Sequence, residues 1–280
     1  MSAAAIVPAG GGIWEQRGRQ VLAVMRQEMG RGLSLRRSLW LLALAFAPTF
    51  IILMHSIHDR NHGLDEETVI LSVILQLYYV RCGIFFGCLG LAMRLVRGEM
   101  AERTLHYPLL APVRREVLMV GKFLAAALSA MLIFGSAVLA SFLLMYLHFD
   151  AGSAFLREGG GWSHLGWYLA VTALACLGYL AVLLALSMLV KNPIVPAALF
   201  VLWEGINAFV PVWLKHVSVT FYLKSLFPVQ LPLRGLDLLT VVAEPLPVWM
   251  AVSGLLAFTA AVLAFACWRM RTLEISYSTD

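Results

Sequence analysis

Charge is what this chain of 280 residues has least of. Asp, Glu, Lys and Arg make up 13 % of it, against 61 % apolar residues. A soluble domain is about a quarter charged and about half apolar. So little charge excludes an ordinary soluble enzyme, a disordered chain and a fibrous repeat, and leaves a polytopic membrane protein. Cysteine is scarce as well. Cys82, Cys88, Cys176 and Cys267 all lie inside apolar runs, without Cys-x-x-Cys or Cys/His zinc spacing. They read as small hydrophobic residues. A phosphate-binding loop is also missing. That loop needs Gly, four residues, Gly-Lys and then Ser or Thr. Here Gly121–Lys122 is followed by Phe123, and position 116 is Glu. Neither a nucleotide site nor a catalytic residue is expected in this chain.

What the chain does have is long apolar runs. A bilayer core of about 30 Å needs about 20 apolar residues in a helix. Six runs qualify: Leu39–Ile57, Val69–Val96, Phe123–Leu147, Trp167–Val190, Ile194–Leu214 and Val248–Trp268. Backbone in lipid has to satisfy its own hydrogen bonds, so these are read as helices and the fold class as all-α. The second run would reach about 42 Å at about 1.5 Å per residue, so it is expected to project beyond the membrane at its Arg94/Arg97 end.

The net charge of +5 follows topology rather than a nucleic-acid partner. Arg17, Arg19, Arg26, Arg31, Arg36 and Arg37 precede the first run. Arg94, Arg97, Arg103, Arg114, Arg115 and Lys122 fall between the second and third. Lys191 joins the fourth to the fifth, and Arg269 and Arg271 follow the sixth. Six crossings put all of these on one side, so both termini are expected in the cytoplasm of a plasma or inner membrane. Residues 1–13 carry no charge and hold Gly10–Gly12; they are expected to be a disordered tail, and the first span itself to be the insertion signal.

Residues 14–37 are read as an amphipathic helix. Val21, Leu22, Val24, Met25, Met29 and Leu33 recur at helical spacing. Arg19, Arg26, Glu28 and Arg31 give it a charged face suited to anionic headgroups, so membrane lipids are expected partners. A six-helix domain would occupy 38–270, with a connecting loop at 98–116 and an outer segment at 215–247. The outer segment mixes prolines with apolar runs, and 271–280 forms a cytoplasmic tail.

Two charges fall inside runs: Arg81 and Glu204. Each costs at least about 2.5–3.5 kcal/mol there without a partner or water. By residue count both lie near the midplane, and they are expected to face the bundle interior as a polar pair. A structural ion pair and a place on a transport path stay equally open. Asn207 would extend the patch. Most histidines gather toward the outer side, with His58 and His62 four apart. No ligand set is completed, and no metal is expected. Glu66–Glu67 invites comparison with the Glu-Glu motif of intramembrane proteases. Leu71 stands where that motif wants Arg, so the enzyme reading is rejected.

The connection after the second run reads Arg97-Gly-Glu-Met-Ala-Glu-Arg-Thr-Leu-His-Tyr-Pro-Leu-Leu-Ala-Pro-Val-Arg-Arg-Glu-Val-Leu-Met-Val-Gly-Lys122. It resembles the cytoplasmic loop of ABC type-2 (ABC-2 family) permeases, the membrane subunits of many ABC exporters. Glu99, Glu102, Thr104, Leu105, Pro112, Val113, Arg114, Gly121 and Lys122 match; Arg103 stands where the family usually has Gly. The resemblance implies a cytoplasmic coupling helix in which Glu99, Glu102, Arg103, Thr104, Leu105, His106 and Tyr107 meet a partner ABC ATPase. ATP and Mg would then be bound in that partner, and two permease copies, alike or different, would form the pore. The prolines Pro108 and Pro112 would end one short helix and start the next. A plain solvated loop needs only a few residues, whereas this one spends about 25. The competing expectation is a membrane anchor or assembly subunit without transport of its own.

Overall fold

The computed structural model of the chain describes residues 13–32, 35–58, 63–98, 113–148, 150–190, 192–206, 211–229 and 246–271; these hold helices and no strand. Expectations for residues 1–12, 99–112 and 272–280, and for His62, Lys191 and Asn207, lie outside the described residues. In chain order the first helices are α1 (Ile13–Gly32) and α2 (Leu35–His58). A long helical run follows. In it α3 (Leu64–Val73) and α4 (Ile84–Met93) flank a π-helical stretch, Ile74–Gly83, and a second π stretch continues over Arg94–Gly98. Next come α5 (Arg115–Leu147), the short α6 (Asp150–Arg157) and α7 (Gly161–Leu189). The last are α8 (Ile194–Ile206), α9 (Val212–Lys215), α10 (Val219–Lys224) and α11 (Val248–Arg271).

Five stretches are long and apolar enough to cross a bilayer: Ser38–His58, Leu64–Met93, Arg115–Leu147, Gly161–Leu189 and Val248–Arg271. They correspond to five of the six expected runs, and four of them begin earlier than expected. The remaining run, Ile194–Leu214, is different. α8 has 13 residues, about 20 Å of helix, and it cannot continue through Pro211, whose ψ of 148° is extended. The physical reason is that proline supplies no N–H and disfavours helical geometry in the residue before it.

α5 and α7 form the centre of the bundle. Along the most apolar part of α7, 67 % of residues are buried, against 22 % along α11. α1 and α2 pack on α5, while α4 and α11 pack on α7. Glu116 near the start of α5 forms an ion pair with Arg271 at the end of α11. Glu28 of α1 is paired with Lys122 of α5, also near that helix's start. The start of α2 and the end of α11 therefore share one end of the bundle, and the chain between Leu189 and Val248 has to travel back to the opposite end.

Pro48 lies inside α2. A proline there takes away the donor that the carbonyl four residues earlier would use. That carbonyl, Leu44, accepts instead from the Tyr78 hydroxyl at 2.8 Å. One residue further on, Tyr79 Oη donates to the Ala45 carbonyl at 3.0 Å. It also lies 3.2 Å from Thr49 Oγ1 and 3.1 Å from Ser141 Oγ, which are themselves 2.8 Å apart. Neighbouring side chains thus repair the break, as apolar surroundings demand. The same hydroxyls join α2, the second span and α5.

Candidate functional site

The inner end of α5 is a junction of three elements. Lys122 is only 2 % exposed. Its Nζ donates to Glu28 Oε1 of α1 at 3.1 Å and to the Leu95 carbonyl, in the π stretch after α4, at 3.5 Å. A buried ion pair is useful when both charges are held and hydrogen-bonded, and very costly when one is removed. Gly121 makes the approach possible. A Cβ at Gly121 would stand 2.7 Å from Val24 Cγ1 and 3.2 Å from the Val21 carbonyl oxygen. The Gly-Lys pair therefore has a structural job: glycine admits α1, and lysine ties it down. α11 joins on another side through Glu116–Arg271 and through Arg115 Nη1, which donates to the Arg271 carbonyl at 3.3 Å.

α1 is accordingly more than a helix on a headgroup surface. Val24, Met25 and Glu28 are partly covered, whereas Arg19, Leu22 and Arg26 are exposed. Arg19 pairs with Glu15 at 2.5 Å, both groups well exposed, an interaction worth little. Nothing is described of the Arg31 side chain. The expected coupling residues Glu99, Glu102, Arg103, Thr104, Leu105, His106 and Tyr107 lie outside the described residues. Their roots do not: Leu95 on one side and Arg115 on the other are both held at the Lys122 junction.

The second charged region lies midway along the bundle. Phe85 of α4 stacks on Phe200 of α8, with ring centroids 6.3 Å apart. The two helices run in opposite directions, so Arg81 and Glu204, each one turn from that pair, fall side by side. No ion pair joins them among the described residues. Both Glu204 oxygens are occupied at the start of α10. Ser218 Oγ donates at 2.9 Å, Val219 N at 2.8 Å and Thr220 N at 3.1 Å. The buried carboxylate thus satisfies amides that would otherwise be orphaned at a helix start. Sequence reasoning placed the two residues together and missed the third element that claims Glu204.

A third cluster was also missed. Glu67, fully buried in the first turn of α3, lies 3.1 Å from His55 Nε2 and 3.9 Å from His148 Nε2. This ties the outer ends of α2, α3 and α5. Among the described residues no group of three or more His, Cys, Asp or Glu is arranged to hold a metal. Nearby, Ser72 Oγ and Gln76 Nε2 both donate to the Val229 carbonyl, at 3.0 and 2.9 Å, which fastens the outer segment to the second span.

These features define a class: a multi-pass α-helical membrane protein whose helices are tied together at one end. The family model described as ABC-2 family transporter protein matches residues 33–204, from the approach to α2 through α8. The chain belongs to the ABC-2 transporter family. No curated protein matches it. Membership implies a membrane component of transport that works with an ABC ATPase subunit and is not itself catalytic.

Proposed function

We propose that this chain is the permease subunit of an ATP-driven ABC exporter in the plasma or inner membrane. ATP hydrolysis occurs in a separate ATPase, and its closure is delivered through the segment 99–107. The observation that carries this reading is the Lys122 junction. One buried ammonium holds α1, the end of the second span and the start of α5 together, at the roots of that segment. A push on the segment is then shared with three elements rather than absorbed by a loop.

The segment 190–247 supplies the sixth crossing, with α8 as its first leg. Both termini then lie on the cytoplasmic side, in keeping with the basic residues gathered there. Two such chains, identical or paired with a relative, flank the export path. ATP and Mg stay with the partner.

The test is ATP hydrolysis by the chain purified with its ATPase and reconstituted in lipid. Glu102→Ala and Leu105→Ala should lower hydrolysis while the complex stays assembled. Full hydrolysis with both changes would contradict coupling through this segment and favour an anchoring subunit.

A further inference from the structure

Arg81 and Lys224 are the charges that the site described above leaves over. Arg81 is exposed on a stripe whose other members are apolar: Leu77 at 49 % and Phe86 at 48 % exposure. It sits within the π-helical stretch Ile74–Gly83 in the middle of the second span. π-helical turns often mark functional positions. Across from it, α8 exposes Leu199 and Leu202. Among the described residues no carboxylate lies within ion-pair distance of Arg81 or Lys224.

Lys224 ends α10, the helix that Glu204 caps. Val219 at the start of α10 packs on Gly178, where a Cβ would come within 3.0 Å of Val219 Cγ1. Gly178 lies well inside α7, so α10 begins at mid-depth and climbs toward Val229 and the outer end. Glu204 lies beside Arg81 across the Phe85–Phe200 stack and caps α10 at Val219 and Thr220, and Lys224 follows Thr220 by one turn, so both cations flank the same carboxylate. Glu204 is committed to α10, so its negative charge is shared among amides and leaves a surplus of cations.

Two adjacent cations at this depth, on an otherwise apolar surface, call for an anion. We infer that Arg81 and Lys224 bind the anionic group of an amphiphile, a carboxylate or phosphate, whose apolar body lies along Leu77, Phe86 and Leu202. As a cargo class this rests on the permease reading; as a binding site it does not. A lipid headgroup and a free amphiphilic anion present the same chemistry.

The test uses the full chain in phosphatidylcholine nanodiscs without the ATPase, so its outcome is independent of coupling. A fluorescent long-chain carboxylate is bound, with protein-free discs as the blank, and displaced by competitors. Oleate should displace it, and oleyl alcohol at the same concentration should not. Loss of a charge-assisted hydrogen bond weakens binding by roughly tenfold or more, the effect expected for Arg81→Gln and for Lys224→Gln. Arg81→Lys should recover much of the affinity, and the exposed Arg157→Gln should change nothing. Displacement by added phosphatidylglycerol would identify a headgroup as the source. Displacement by oleate alone would identify a free amphiphile. Equal competition by oleyl alcohol, or unchanged oleate affinity in Arg81→Gln and Lys224→Gln, would overturn the inference.

Discussion

The inner junction and the mid-depth face handle charge in opposite ways. At the junction every charge described is answered: Lys122 by Glu28 and Leu95, Glu116 by Arg271. On the mid-depth face the one buried carboxylate is spent on the start of α10, and the cations beside it stay exposed. A satisfied buried pair resists parting, which suits the proposed transmission of force. Unanswered charge in apolar surroundings is stabilised by a counter-charge, which suits the proposed binding of an anion.

This contrast can be broken first at Lys122. Lys122→Ala removes the buried ammonium that Glu28 faces in a mostly covered position and should destabilise the chain by about 3–5 kcal/mol. Thermal unfolding in detergent reads that loss. Lys122→Met with Glu28→Met should recover most of it, because a well-packed apolar pair is often no worse than a buried ion pair. A double variant as unstable as the single one would show that the junction depends on charge itself.

A smaller effect is expected at the recognition face. Glu204→Gln puts an amide donor against the N–H groups of Val219 or Thr220. It should cost about 1–3 kcal/mol, the penalty of an unsatisfied buried donor. Protection of the α10 amides in hydrogen exchange should fall with it. Unchanged protection would mean that Glu204 does not hold α10.

The smallest test concerns the frame that connects the two regions. Tyr78→Phe should cost about 1 kcal/mol. The cost should nearly vanish when Pro48→Ala returns a donor to the Leu44 carbonyl. Equal costs in both backgrounds, measured as a double-mutant cycle, would dissociate the hydroxyl from the proline.

The spans were legible in the sequence because lipid demands apolar length, and little else produces such runs. Their ends were less legible. α5 starts at Arg115 rather than Phe123 because Glu116 and Lys122 find partners on α11 and α1, which no local pattern announces. The run Ile194–Leu214 is long enough for a span, yet Pro211 limits its helix. Glu28 looked like one more headgroup-facing charge until Lys122 appeared beside it. Arg81 and Glu204 stood out by rarity alone, and the partner that Glu204 finds, the start of α10, lies 14 residues downstream of it. Distant partners of this kind, like Tyr78 for the carbonyl that Pro48 leaves behind, are fixed by packing and leave no periodic trace.

The most direct measurement of the central claim is native mass spectrometry of the tagged chain extracted gently from its own membrane. The account predicts a particle whose mass includes an ABC ATPase, retained in Glu102→Ala and Leu105→Ala. A particle containing this chain with no ATPase, under conditions that preserve the helical bundle, would contradict it.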